Sequence, residues 1–237
     1  MNASNIVKVD FHVHTIYSDG SITLEYLINK AKLYNFQVVS KADHNTTRGN
    51  ERLKILAEKN NLIFIPSVEI STKQGHLVGI NIDNWNKGLG GKNMQEQIDL
   101  VLELGGIPVI AHPYWRGGLG SKIFNLKNAL GYELFNHSSP IGTLKLLKEQ
   151  VKHPEKYKKF PQYAGSDAHG GAAFGKYYNE IYVNDLTKSE ILESLFKRRI
   201  HCKGLNFLDN LIYWWKDGAP NQISQIHKLI YKYLEKK

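Results

Sequence analysis

Short apolar runs of strand length alternate with helical patterns along this chain, and nearly every strand-like run ends on a histidine, aspartate or glutamate. Residues 6–11, 36–42, 62–68, 76–82, 107–111, 132–135, 160–164 and 180–183 read as strands. Residues 23–34, 48–60, 93–104, 122–130, 140–152 and 187–198 carry helical spacing, with two further helical stretches near 207–215 and 223–234. Gly105-Gly106 marks the end of the helix before it. This alternation predicts an α/β fold with parallel strands, and 237 residues suit a single barrel domain better than a small open sheet. The stretch 206–237 is expected to pack on that barrel as helices, with Tyr213, Trp214 and Trp215 covering apolar surface.

The polar residues at the strand ends suggest chemistry. The first strand ends at His12 and His14, the second at Asp43-His44 and the third at Glu69. The fourth begins at His76, and the fifth ends at His112. Glu133, Asn136 and His137 close the sixth, and Asp167 and His169 the seventh. In a parallel barrel the C-terminal strand ends open on one rim, where active sites are built. Seven of the ten histidines fall there; His153, His201 and His227 read as surface residues. His12-Val13-His14 puts two imidazoles on one face of a strand, with Asp19 at a turn five residues on. A lone histidine of this kind is more often structural than a ligand. The whole set reverses that expectation, because burying so many titratable groups is costly unless metals or hydrogen bonds satisfy them. Cys202 is the single cysteine, so an internal disulfide and thiolate ligation are both excluded. A nitrogen and oxygen donor set suits Zn, Mn or Fe.

The net charge of +9 favours anionic partners such as phosphates. No compact Arg-rich or Lys/aromatic motif accompanies it, so nucleic acid is possible as a partner but not favoured. The chain shows neither a signal peptide nor a membrane-length apolar run, and a cytoplasmic protein is the expectation. The Gly-rich stretch 87–92 lacks phosphate-loop spacing and reads as a flexible loop.

Taken together, several motifs resemble the polymerase-and-histidinol-phosphatase (PHP) family. They are Asp10-Phe-His12-Val-His14 through Ser18-Asp19-Gly20, Ala42-Asp43-His44-Asn45, Val68-Glu69-Ile70, Gly75-His76-Leu77, Ala111-His112-Pro113 and Gly165-Ser166-Asp167-Ala168-His169. Asp43-His44-Asn45-Thr46 and residues 69–76 are most similar to its carbaryl-hydrolase-like branch. The resemblance implies a distorted (β/α)7 TIM-like barrel bearing three metals. It assigns His12, His14, Glu69 and Asp167 to one metal. A second would share Glu69 and add His76 and His112, and a third would take Asp19, His44 and His169. Two or three divalent ions of that kind lower the pKa of a bridging water and neutralise charge on a phosphoryl group. A phosphoesterase acting on a small phosphate ester through a metal-bridging hydroxide is therefore expected. Hydrolysis of a carboxylic or carbamic ester is the alternative, and a non-catalytic metal-bearing binding domain is the third possibility.

Three further residues stand out. His137 is a candidate leaving-group acid, and Arg116, four residues after His112, a candidate phosphate or carboxylate grip. Lys41 stands where similar proteins more often have an apolar residue; it either neutralises a carboxylate or points outward, the structural role being preferred. Ala42 replaces a threonine usual in the family, and the segment between His76 and His112 leaves no room for the helical cap of many small-molecule relatives. An open site is expected.

Overall fold

The computed structural model describes residues 5–85, 93–205 and 209. The Gly-rich stretch 87–92 and the C-terminal stretch with Tyr213, Trp214 and Trp215 lie outside the described residues.

Helix boundaries follow local chemistry. Helix α1 (Leu24–Leu33) is capped by Thr23, whose side chain accepts from Tyr26 N, and it buries Leu24, Leu27, Ile28 and Ala31. Helix α3 (Met94–Glu103) repeats the device with Asn93 and buries Met94, Gln97, Ile98 and Val101. Gly105, at φ 75°, takes the left-handed conformation just beyond it. Thr187 caps α6 (Lys188–Phe196). Helices α2 (Asn50–Lys59), α4 (Pro140–Lys152) and the single turn α5 (Pro154–Tyr157) complete the set among the described residues.

The strands form three sheets. Strands β1 (Asn5–Val9), β9 (Tyr178–Val183) and β10 (Ile200–Lys203) pair antiparallel in the order β1-β9-β10. Strands β2 (Val38–Val39) and β3 (Ile63–Phe64) pair in parallel. A five-stranded sheet runs β4 (Ser67–Thr72), β5 (Gly75–Ile80), β6 (Ile107–Ile110), β7 (Gly131–Asn136) and β8 (Gln162–Gly165). In it β5 runs antiparallel to both of its neighbours, β4 and β6, whereas β6, β7 and β8 are parallel. The wholly parallel arrangement expected from the sequence is therefore corrected to a mixed one. Only Lys73 and Gln74 join β4 to β5, too short a link for the crossover that parallel strands require.

Other differences are local. The expected strand at 62–68 is broken at Ile65-Pro66, where proline has no N–H for a ladder. The expected helix at 122–130 is only a 3-10 turn, Gly120–Asn125, and β10 has no counterpart in the sequence reading.

Backbone hydrogen bonds beyond the named strands link the sheets. Ala42 N donates to Val13 O over 2.8 Å, Asn45 N to Glu69 O over 2.8 Å and Asp167 N to His12 O over 2.8 Å. The segments following β1, β2 and β8 are thereby stitched to one another and to β4. A buried cluster drawn from all three sheets, including Val9, Val38, Ile80, Val109 and Tyr163, lies among them. Each such aliphatic side chain contributes about 1.5–3 kcal/mol by leaving water. A second core, with Ile70, Leu77, Ile98, Val101, Tyr132 and Leu146, packs α3 and α4 on the large sheet. A third, with Leu24, Leu27, Phe36, Val39 and Leu53, packs α1 and α2.

Candidate metal centre

The stitched segments carry the polar strand-end residues. Gly20 turns the chain back against His14; a Cβ there would run into the His14 carbonyl. Asp43 fixes the same turn. It accepts hydrogen bonds from Thr15 N, Thr15 Oγ1 and Ser18 Oγ, each at 2.7 Å, and from Lys41 Nζ at 2.8 Å. Lys41 is completely buried, so the preferred outward orientation is corrected: it neutralises Asp43. Burial lowers the Lys41 pKa and opposes the charge on Asp43, yet the pair, with Thr15 and Ser18, keeps the Asp43 carboxyl below its usual range. His112 and Asp167 both have positive φ, 23° and 51°, so backbone strain falls on two candidate ligands.

Glu69, in the middle of β4, is the hub. Its Oε2 lies 3.3 Å from His12 Nε2, 3.2 Å from His14 Nε2 and 3.1 Å from His44 Nδ1. Its Oε1 lies 2.8 Å from His76 Nδ1 and 3.1 Å from His112 Nε2. Asp167 Oδ1 stands 3.1 Å from His14 Nε2 and 3.5 Å from His12 Nε2. Asp19 reaches His14 Nδ1 at 3.3 Å, His169 Nε2 at 3.2 Å and His44 Nε2 at 3.6 Å. The structure thus brings together all nine residues that the resemblance nominates. Their donors form three overlapping groups, each within 4.8 Å: His12, His14, Glu69 and Asp167; His14, Asp19, His44 and His169; and His44, Glu69 and His76. The groups match the implied allocation for the first metal. They differ elsewhere, since His14 and His44 each serve two groups, and His112, 3.1 Å from Glu69 Oε1 and 3.9 Å from Asp167 Oδ2, belongs to none of the three.

The site has a buried floor and an exposed edge. His12, His14 and Glu69 are buried, whereas the side chains of Asp19 and His169 are 51% and 39% exposed.

Buried polar atoms test whether cations fit. His12 Nε2, both nitrogens of His14, His44 Nδ1, His76 Nδ1 and Glu69 Oε2 are buried without a well-formed hydrogen bond. Unsatisfied imidazole nitrogens converging on shared carboxylates form the donor set of a divalent transition metal. Electrostatics agree. Burial disfavours a charged His12, but Glu133, Glu69 and Asp167 raise its pKa well above the ordinary value. His14 behaves alike against burial, through Asp167, Asp19 and Glu69. Glu69 stays well below its ordinary range despite burial because His12, His112 and His14 surround it. Burial lowers the His44 pKa, leaving it a neutral donor.

Glu133, which the sequence placed at a strand end without a role, holds two candidate ligands. Its Oε1 lies 2.7 Å from His12 Nδ1, and its Oε2 accepts from His112 N and Asn136 Nδ2, both at 2.9 Å. Carboxylates in this position orient a ligating imidazole and raise its basicity. The strand-end pattern was the available signal. A Cβ at Gly165 would displace it, meeting Glu133 Oε1 and His12 Cβ.

Arg116 lies exposed on the 113–118 loop beside His112. His137 is 2% exposed, with its ring 5.7 Å from that of Tyr177, so it sits within the packed interior.

No family model matches the chain. It is 31% identical over 144 residues to the uncharacterized protein MJ1587 of Methanocaldococcus jannaschii, covering 55% of this chain and 82% of that one. It is 35% identical over 80 residues to a 5'-3' exoribonuclease of Haemophilus influenzae, covering 32% of this chain and 29% of that one. A 3',5'-nucleoside bisphosphate phosphatase of Chromobacterium violaceum is 29% identical over 115 residues, 43% of this chain and 40% of that one. Among solved structures, a two-domain Bacteroides vulgatus protein containing a predicted PHP-like metal-dependent phosphoesterase superposes with a TM-score of 0.69 at 16% identity, covering 92% of this chain and 71% of that one. A candidate metal-dependent phosphoesterase of Bifidobacterium adolescentis gives 0.56 at 17% identity, over 85% and 98%. These likenesses establish a mixed α/β fold with PHP-like neighbours.

Proposed function

The chain belongs to the same family as MJ1587 of Methanocaldococcus jannaschii, and we propose that it is a metal-dependent phosphoesterase acting on a small phosphate ester at a trinuclear centre. Metal-dependent phosphoesterases are named among its structural neighbours and a phosphatase among its relatives, and the chain is an enzyme of the hydrolase class. The observation that carries the finer reading is the convergence of five imidazoles on the two oxygens of Glu69. We read residues 1–237 as one domain. Its described wall is a distorted (β/α)7 TIM-like barrel, a reading supported by hydrogen bonds joining the segments after β8, β1 and β2 to one another and to β4.

His12, His14, Glu69 and Asp167 would hold one cation, and His14, Asp19, His44 and His169 another. Glu69 with His44, His76 and His112 would hold the third. Zn, Mn and Fe all suit this donor set. Bound divalent ions supply Lewis-acid charge, acidifying a water to react near neutral pH and neutralising phosphoryl oxygens. The chain's own residues do the rest. Glu133 orients His12 and the His112 backbone. The Lys41–Asp43 pair anchors the turn that presents Asp19. Arg116, exposed beside His112, is available to grip a phosphate oxygen. His137, the candidate leaving-group acid of the sequence reading, is 2% exposed and packs on Tyr177, so it carries no step in this reading.

A second reading keeps the metals but splits a carboxylic or carbamic ester, as the wording of Asp43-His44-Asn45-Thr46 and residues 69–76 suggests. Parallel assays on p-nitrophenyl phosphate, bis-p-nitrophenyl phosphate and an aryl carboxylic ester, with added Mn or Zn, separate the two. Turnover of a phosphate ester, with more than one metal per chain and fewer in His14→Ala, is the expected result. Hydrolysis of the carboxylic ester alone, or a protein without transition metal after supplementation, would overturn the phosphoesterase reading.

A further inference from the structure

The open side of the metal centre carries an indole. Trp115 follows the candidate ligand His112 by three residues. Its ring centroid lies 5.9 Å from that of His76 at an interplanar angle of 34°, and 5.5 Å from that of His112 at 65°. Both imidazoles approach Glu69 Oε1, so the indole borders the cluster itself. Trp115 is nevertheless 40% exposed.

The loop that carries it is tightly wound. Trp115 N donates to His112 O over 2.9 Å, Gly118 N to Trp115 O over 2.9 Å and Gly120 N to Pro113 O over 2.7 Å. A Cβ on Gly118 would collide with the Pro113 carbonyl, and one on Gly75 would lie 3.3 Å from Gly118 Cα. The hairpin bearing His76 and the loop bearing Trp115 are therefore packed against each other, and the indole is held at a set height beside the donors.

Packing against His76 and His112 accounts for one part of the ring. The residue still keeps 40% of its surface open to solvent, at the edge of a polar site. A phosphoryl group at the cluster must project its ester substituent toward the exposed edge, because the floor formed by His12, His14 and Glu69 is closed. We propose that Trp115 is a stacking platform that selects phosphate esters whose substituent bears a planar aromatic ring. The inference rests on the phosphoesterase reading and adds a substrate class to it. Stacked rings gain about 0.5–1.5 kcal/mol beyond area burial, so the expected preference is roughly two- to tenfold per ring.

Binding of non-hydrolysable probes tests it without turnover. Phenyl-, cyclohexyl- and methylphosphonate would be titrated calorimetrically into metal-loaded wild type, Trp115→Leu and Trp115→Phe, with metal content measured in each. Wild type should bind phenylphosphonate roughly fivefold more tightly than cyclohexylphosphonate. Trp115→Leu should erase that ratio while leaving methylphosphonate affinity and metal content unchanged, and Trp115→Phe should keep most of it. A wild-type ratio near one, or an equal loss for all three probes in Trp115→Leu, would overturn the platform while leaving the phosphoesterase reading intact. If none of the phosphonates binds the fully metal-loaded wild type, the phosphoesterase reading fails and the platform with it.

Discussion

Replacing Lys41 by methionine removes one partner of a fully buried ion pair while nearly preserving side-chain volume. Lys41 Nζ lies 2.8 Å from Asp43 Oδ2, and both side chains are completely buried. Breaking such a pair from one side typically costs about 3–5 kcal/mol, because the remaining charge is left uncompensated in a poorly solvated place. Asp43 retains three donors, Thr15 N, Thr15 Oγ1 and Ser18 Oγ, which places the expected loss near the lower figure, about 3 kcal/mol. For a chain of this length that corresponds to a fall in Tm of roughly 6–12 °C. Denaturant unfolding followed by far-UV circular dichroism measures it. The double variant Lys41→Met with Asp43→Asn removes the orphaned charge and should recover a substantial part of the loss. The pH dependence has a definite sign. Asp43 has a depressed pKa in the folded protein, so its contribution is present above the unfolded carboxyl pKa and is lost as pH falls through the folded one. Without Lys41 that carboxyl protonates more readily, so the deficit should be largest at neutral pH and narrow in acid. A single variant within about 0.5 kcal/mol of wild type would refute the argument, since that is the range of ordinary surface substitutions. Strict additivity of the two substitutions would refute it equally.

Glu133→Gln should weaken metal binding roughly 10- to 100-fold in a chelator competition, because it withdraws the charge that orients His12; unchanged affinity would remove Glu133 from any supporting role. Metal uptake should release protons at pH 7. In the metal-free protein the pKa values of His12, His14, His112 and His169 are all raised above the ordinary 6.5, burial being overcome by nearby carboxylates, so cations must displace protons. Apparent metal affinity should accordingly rise from pH 6 to pH 8. Calorimetry in buffers of different ionisation enthalpy counts those protons, and a buffer-independent heat would contradict the assignment.

The nine clustered residues are legible in the sequence as polar residues at or near the ends of apolar runs, whereas their proximity is not. The sequence puts His12 and His14 on one face of a strand and Glu69 at a strand end; in the structure β1 stops at Val9, both histidines lie in the bridged segment after it, and Glu69 falls in the middle of β4. Helix α1 was equally plain, since Leu24, Leu27, Ile28 and Ala31 follow its period and Thr23 caps it. The antiparallel course of β4, β5 and β6 was missed because apolar runs carry no direction. The link Lys73-Gln74 was the one available clue. Strand β10 was missed because Ile200–Lys203 is a short run with little alternation to read.

What the sequence determined alone was which side chains are available: imidazoles and carboxylates at recurrent places along the chain, and a single cysteine, too few to build a thiolate site. Only the tertiary structure decided how they act on one another. Glu133 meets His12 across 121 residues of chain, and Asp19 meets His169 across 150. Lys41 faces inward rather than outward because the Asp43 carboxylate, fixed by Thr15 and Ser18, accepts a hydrogen bond from its ammonium, and Trp115 borders the clustered imidazoles because its loop packs on the His76 hairpin. Contacts at such separations depend on how sheets close, and local preference along a chain carries no term for that.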